Sequence, residues 1–244
     1  MMYKSIAKYY DLLGWDEFHD VAYPRLKPVL IESKAESYLD LACGTAMLAC
    51  SVADLGLEVV GLDKSKEMLK MAAHRLRLYR GARKPTIVHG DMTRFNLRRQ
   101  FDAVGCFFDA ANHIVDPRSF AAFITRAAAH VRSGGFFMFD VNTAIGLNCW
   151  DALLFTRQGQ HAVMMKGEYD RSTRLAAITI HGFVRTPDGQ VDKFKETFHE
   201  RGYPHREIMM LLRRAGFGKI SAQPQNPERT LRNAHRVFYT AFKK

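Results

Sequence analysis

The chain has 244 residues, 47% hydrophobic and 25% charged, with 36 Lys and Arg against 25 Asp and Glu for a formal net charge of +11. That balance excludes a disordered or collagen-like chain, and at roughly 150 residues per domain the length predicts one elaborated domain, or a domain plus a small appendage, over residues 1–244. No apolar run reaches the ~18–20 residues that span a bilayer, and Tyr3 and Lys4 stand where a signal peptide would turn apolar. The four cysteines, Cys43, Cys50, Cys106 and Cys149, form no Cys-x-x-Cys pair, which speaks against a disulfide scaffold or a structural metal and for a reducing cytoplasm.

Tyr38 to Ala42 is a strand-length apolar run, and Met47 to Leu55 then has helical spacing. Glu58 to Asp63 reads as a second strand, followed by a helix from about Ser65 to Tyr79 that Ser65 can cap. The arginines between Arg75 and Arg80 read as a solvated flank of that helix. Thr86 to His89 and Phe101 to Phe107 read as strands three and four. Phe120 to Val131 is helical, with Ser133-Gly134-Gly135 as its stop, and Phe136 to Val141 is strand five. Regular alternation of helices with almost continuously apolar strands predicts an α/β, doubly wound, mostly parallel sheet.

The pattern changes after about Asn142. His161 to Tyr169, Thr173 to Val184 and Val191 to Phe198 read as antiparallel strands, with turns at Asp170–Thr173 and Thr186–Gly189. Residues 150–203 therefore read as an antiparallel β insertion after strand five. Pro204 opens another helix that Gly216 ends, and Lys219 to Ala222 and Arg236 to Phe242 are two last strands.

The chemistry concentrates at the strand ends. Asp40-Leu-Ala-Cys-Gly-Thr-Ala46 follows the first strand, where Gly44 permits a tight turn and the next helix offers free N–H groups. Asp63 ends strand two, about 20 residues on, where a carboxylate is placed for ribose hydroxyls. Asp91, in His89-Gly90-Asp91-Met92, brings a third carboxylate to the same edge, and packing alone does not explain three. A nicotinamide dehydrogenase would need G-x-G-x-x-G, and this turn has a single glycine. Cys43 and Cys106 read as small core residues, and Phe107 and Phe108 as either core or pocket wall.

In its motifs the chain resembles class I S-adenosylmethionine-dependent methyltransferases, over nearly its full length. Leu39 to Thr45, Val60 to Asp63, His89 to Met92 and Phe101 to Val104 look like the family's four motifs in order. The resemblance implies a Rossmann-like methyltransferase fold with a seven-stranded sheet and S-adenosylmethionine as cofactor. It implies Asp40 and the Ala42, Gly44 backbone near the methionine moiety, Asp63 on the ribose, Asp91 and Met92 at the adenine, and Lys64, Met68 and Phe107 around them. The opening Ala7 to Leu13, the ending Phe139-Asp-Val-Asn142 and the insertion are similar to small-molecule enzymes, including amino-sugar N-methyltransferases. That subgroup implies a tyrosine lid, Tyr9 or Tyr10, and a substrate cap formed by residues 150–203. The family usually carries glycine where this chain has Ala42 and Ala46. Alanine is a good helix former with no demand for positive φ, so the loop is expected to survive the exchange.

The expected reaction is in-line methyl transfer to nitrogen or oxygen of a small molecule, without metal. His113, just past strand four, is the candidate general base or else a loop histidine; Tyr203 and His199 are further candidates. Two other readings stand beside it: an RNA methyltransferase using the basic C-terminal region, and a non-catalytic cofactor-binding regulator. No RNA-binding module accompanies the charge, so nucleic acid is not favoured. Residues 201–244 hold ten basic and two acidic side chains, and the loop from Gln223 to Ala234 carries Arg229 and Arg232. These two arginines are expected to receive a carboxylate or phosphate on the acceptor. No membrane partner is expected, and the motifs encode neither the acceptor nor the oligomeric state.

Overall fold

The computed structural model describes residues 3–150, 152–155, 161–186 and 188–244; Met1, Met2 and Pro187 of the expected turn lie outside them. In chain order the elements are α1 (His19–Glu32), β1 (Ser37–Leu41), α2 (Met47–Ala53), β2 (Glu58–Asp63), α3 (Lys66–Leu78), β3 (Thr86–His89), β4 (Phe101–Cys106), α4 (Pro117–His130) and β5 (Val131–Asn142). There follow α5 (Ala144–Leu147), β6 (Ala152–Phe155), β7 (His161–Asp170), β8 (Leu175–Arg185), β9 (Val191–Arg201), α6 (His205–Arg214), β10 (Phe217–Pro224) and β11 (Arg236–Lys243). Seven strands form one sheet in the order β10-β11-β5-β4-β1-β2-β3. β11 is antiparallel to both its neighbours and the other pairs are parallel, so β10 runs with the first five strands.

Alternation along β5 shows how both faces are filled. Phe137 and Phe139 enter a core with Phe120 and Phe123 of α4 and Ile208 and Leu212 of α6. Phe136 and Met138 point the other way, into a core with Leu26 and Leu30 of α1 and Ala49 and Val52 of α2. Ser65 caps α3, its hydroxyl accepting from Met68 N at 3.3 Å, and Asp116 caps α4, accepting from Ser119 N at 2.8 Å ahead of Pro117. β6 to β9 make a separate four-stranded antiparallel sheet. Its Ala176, Ile178, Ile180, Phe194 and Phe198 pack on Ile6, Tyr9 and Leu13 of the N-terminal segment.

Four expectations change. The insertion has four strands rather than three. Gly134 and Gly135 do not stop a helix; α4 gives way directly to β5, and the glycines lie within that strand where its register with β4 shifts. Gly134 has φ +75°, and a Cβ on Gly135 would meet the Asp102 carbonyl at 2.5 Å. α1 had no counterpart in the sequence reading, since Pro24 and Pro28 inside it are helix-breaking signals. Position 46 does demand positive φ: Ala42 has φ 59° and Ala46 φ 64°, on either side of Gly44 at 55°. Left-handed backbone costs a non-glycine residue about 1–2 kcal/mol. Ala46 is fully buried, so its methyl group offsets part of that cost, whereas Ala42 is half-exposed. Ala42→Gly is therefore expected to raise the unfolding free energy by about 0.5–1 kcal/mol and Ala46→Gly to change it little, as read by urea denaturation.

Candidate active site

The C-terminal edge of the sheet opens into a cavity of about 910 Å³ beside β1 and β4, where the strand order reverses. Among its lining residues are Ala42, Gly44, Asp63, Lys64, Met68, Asp91 and Met92 on one side. Tyr3, Tyr10, Phe107, Phe108 and His113 line the other.

The loop after β1 is fixed by hydrogen bonds from beneath. Gly44 N donates to Asp63 Oδ2 at 2.9 Å, Ser65 N to Asp63 Oδ1 at 2.7 Å, and Cys43 N to the Leu62 carbonyl at 3.1 Å. A Cβ on Gly61 would stand 2.8 Å from Cys43 Sγ, so the loop lies directly on a glycine of β2. Burial raises the Asp63 carboxyl, and the two backbone donors pull against it. Asp91 is half-buried, and Lys64 Nζ at 2.9 Å and Thr93 outweigh the effect of burial and hold it down at about 2. Asp40 is the exception. Its Oδ1 accepts only a 3.4 Å bond from Tyr38, its buried Oδ2 has no partner, and burial pushes it up to about 7. An orphaned buried carboxylate oxygen beneath the loop, with open space where a Gly44 side chain would be, fits a ligand that carries an ammonium group.

Arg75 corrects another expectation. It is no solvated flank: Nε donates to the Thr45 carbonyl at 3.0 Å, and Nη2 pairs with Asp11 Oδ2 at 2.6 Å. Asp11 also accepts from Thr45 Oγ1 at 2.8 Å, so the N-terminal segment is tied to the loop. Tyr10 thereby stands at the cavity, edge-on to Phe108 at 6.0 Å. Tyr9 points elsewhere, stacking on Phe194 at 5.6 Å with its hydroxyl on Asp192 of the insertion. Tyr3, which sequence reasoning did not single out, contributes its hydroxyl 3.2 Å from His113 Nε2. His113 Nδ1 lies 3.4 Å from the His199 carbonyl, which assigns the proton to Nδ1 and leaves Nε2 as acceptor. Burial lowers the imidazole, against the pull of Asp109 and the His199 carbonyl, so the ring is neutral at pH 7.

Behind His113 lies a buried ionic network that the sequence did not announce. Arg236 Nη2 pairs with Asp109 Oδ1 at 2.8 Å and Nη1 with Asp140. Asp140 also accepts Phe108 N at 2.7 Å and Asp109 N at 3.0 Å, holding those residues at φ 61° and 48°. Tyr203 and Arg232 line a second cavity of about 650 Å³ with Tyr169, Arg171 and Arg174. Arg229 belongs to neither cavity and donates to the Asn233 carbonyl.

The loop after β1, the carboxylates of Asp63 and Asp91 and the His113 imidazole face one cavity, while Asp40 lies buried beneath the loop and does not line it. Residues 39–135 match a family profile described as a methyltransferase domain. Over 204 residues the chain is 31% identical to a dTDP-3-amino-3,6-dideoxy-alpha-D-glucopyranose N,N-dimethyltransferase of Streptomyces fradiae, covering 79% of this chain and 76% of that one. A methyltransferase structure from Clostridium acetobutylicum superposes with a TM-score of 0.82 at 22% identity and 96% coverage of both chains. That of Streptomyces venezuelae DesVI gives 0.80 at 21% identity, with 98% of both covered. The chain belongs to the S-adenosylmethionine-dependent methyltransferases.

The Arg75–Asp11–Thr45 tie is half-exposed, so its direct contribution is modest, at most about 1 kcal/mol. Its loss acts locally: Arg75→Ala is expected to speed amide exchange in residues 5–15 several-fold while β4 and β5 stay protected, as followed by mass spectrometry.

Proposed function

We propose that the enzyme methylates the amino group of a small acceptor bearing a phosphate or carboxylate, an amino sugar of the nucleotide-linked class. The observation that carries this reading is His113, a neutral imidazole facing the cavity with Nε2 on the Tyr3 hydroxyl. An amine arrives as an ammonium and must lose a proton before its lone pair can attack. Nε2 takes that proton, directly or through the Tyr3 hydroxyl, while the Nδ1–H bond to the His199 carbonyl steadies the imidazolium. The Streptomyces fradiae relative is named for an amino-sugar substrate, which agrees.

S-adenosylmethionine, when bound, supplies a methyl group on a sulfonium that is already electrophilic. Its ammonium group would be held by Asp40, its ribose by Asp63, and its base beside Asp91 and Met92, with Lys64, Met68 and Phe107 around it. Tyr10, Tyr3 and Phe108 keep water from the reacting end. Catalysis is then largely positioning of the acceptor nitrogen.

Arg171 and Arg232 around the second cavity support an anionic acceptor, beside Arg174, which lies 3.8 Å from Glu207, and Tyr169 offers an aromatic wall. The two cavities are one side chain apart: the Tyr203 hydroxyl, on the second, donates to the Ile114 carbonyl, on the first. The four-stranded sheet acts in this reading as the substrate cap. Among the described residues no helix is long and apolar enough to cross a membrane. Cys43, Cys50 and Cys106 are buried free thiols, which supports action in the cytoplasm.

The test is transfer from labelled S-adenosylmethionine to a panel of nucleotide-linked amino sugars, free amino sugars, phenols and RNA, with products read by mass. Methylation of the nucleotide-linked amines is expected. Transfer confined to phenols or RNA would sink the reading. His113→Ala should lower kcat about 100-fold at neutral pH, and Arg171→Ala with Arg232→Ala should raise the acceptor KM about tenfold with kcat little changed.

Asp40 gives a separate pH signature. Its carboxyl titrates at about 7 in the ligand-free protein, and an ammonium partner would pull it down. Binding therefore releases a proton below pH 7, and affinity for S-adenosylhomocysteine should fall up to about tenfold per pH unit on acidification. Calorimetry in buffers of different ionisation enthalpy measures the proton, and Asp40→Asn should abolish the release.

A further inference from the structure

Glu200, at the end of β9, is a buried acid that the reaction above does not use; it is 2% exposed and stands behind His113. One oxygen of Glu200, one of Asp109 and a ring nitrogen of His113 all lie within 4.8 Å of one another. A metal ion is a poor occupant, because the Arg236 guanidinium already sits on Asp109 at 2.8 Å. The supply of donors decides how the charges divide. Among the described residues, Asp140 has two backbone N–H groups and Arg236 as donors; Asp109 has Arg236; Glu200 has Asn142 Nδ2, at 3.2 Å. One guanidinium thus faces three carboxyl groups, and Glu200 is the least served. Burial first, then the charge of Asp109, pushes its carboxyl well above the ordinary range, more than Asn142 and Arg236 recover. These surroundings favour the protonated form of Glu200, and Asp109 is the acceptor beside it.

We propose that Glu200 is a positioning residue of the methyl-transfer site: its carboxyl donates a hydrogen bond to Asp109 and so sets how much of that carboxylate's charge reaches His113. The proposal rests on His113 being the proton acceptor. The imidazole is faced by Tyr3 from the N-terminal segment, Asp109 from the loop after β4, and Glu200 and the His199 carbonyl from β9. Arg236 of β11 and Asp140 of β5 stand behind Asp109. With Glu200 as donor, Asp109 shares its charge with both Glu200 and Arg236. The imidazole then stays neutral and ready to accept, yet an anion remains close enough to steady the imidazolium once it forms.

The sign of a titration shift tests this. In Glu200→Ala, Asp109 loses a donor, its charge acts more fully on the imidazolium, and the His113 titration rises by about half a pH unit or more. Glu200→Gln keeps a neutral donor and restores the original position. If Glu200 were instead an anion, both variants would remove a negative charge and both titrations would fall; that result, or no movement in either, overturns the proposal. Nitrogen-15 NMR of the histidines in the cofactor-free protein reads the shift without any acceptor. Should Glu200→Ala not fold, infrared spectra decide: wild type at pH 7 must show a protonated-carboxyl band that Glu200→Gln lacks, and its absence overturns the proposal. The acidic limb of kcat should follow the NMR shift, costing Glu200→Ala about threefold or more on the acid side. An NMR shift of the expected sign with an unmoved kcat limb would overturn His113 as the base and leave the Glu200–Asp109 bond standing.

Discussion

The buried contact of Arg236 with Asp109 and Asp140 organises the chain after β4 and the residues it brings to the cavity. It joins the first residue of β11, the penultimate stretch of β5 and the loop after β4, and it lies between the two cavities' walls. Burying a guanidinium and two carboxylates is costly in itself, and such a group persists when each member is hydrogen-bonded. Here the arrangement is nearly closed: Asp140 accepts two backbone N–H groups besides the guanidinium, and the guanidinium rests 4.6 Å from the Phe18 ring. The consequence is conformational. Phe108 and Asp109 are held in consecutive left-handed conformations, which turns the chain sharply off β4 and brings Phe108 and His113 to the cavity. Losing one partner would leave an uncompensated buried charge, typically about 3–5 kcal/mol, behind the residues that line the cavity.

The loop after β1 is built by a different logic. There charged groups act from outside to hold the backbone: Asp63 beneath the loop, Arg75 and Asp11 at its shoulder. Asp11 links that shoulder to a segment whose apolar residues, Ile6, Tyr9 and Leu13, are packed into the four-stranded sheet. One short stretch therefore couples the cofactor loop to the insertion. Tyr9 and Tyr10 serve opposite neighbours from adjacent positions, the first on the insertion and the second at the cavity.

Strand and helix order was legible because its signals are local: apolar runs for β1 to β5, a Ser65 cap, a Pro204 start. The carboxylates at the ends of β1, β2 and β3 were legible because strand ends of a parallel sheet share one edge. What escaped depends on distant pairing. Nothing within ten residues of Arg236 marks it as buried, because its partners stand 96 and 127 positions away. Glu200 looks like an ordinary polar residue of a strand until Asn142 and Asp109 surround it. Gly134-Gly135 was misread for a related reason: the same pair ends a helix or permits a bulge, and only contact with Asp102 on the neighbouring strand distinguishes them. Tyr3 was overlooked because a terminal aromatic gains meaning only once the chain folds back over its own cavity.

The charge surplus is resolved residue by residue in the same way. Net charge measures long-range attraction, but a side chain that spends its donors inside the protein contributes little to it. Of the ten cations after position 200, Arg236 is buried in the ionic network. Lys243 donates to the Ala128 and Val131 carbonyls at 2.7 Å each, clamping β11 to the end of α4. Arg229 and Arg201 donate to the carbonyls of Asn233 and Val115. Arg232 differs in facing a cavity, where it joins Arg171 and Arg174 from the turn and start of the β7–β8 hairpin. The arginines at that cavity are thus drawn from two regions far apart in sequence. Their cluster depends on the insertion folding back toward the C-terminal strands, so it is a property of the assembled fold rather than of a basic tail.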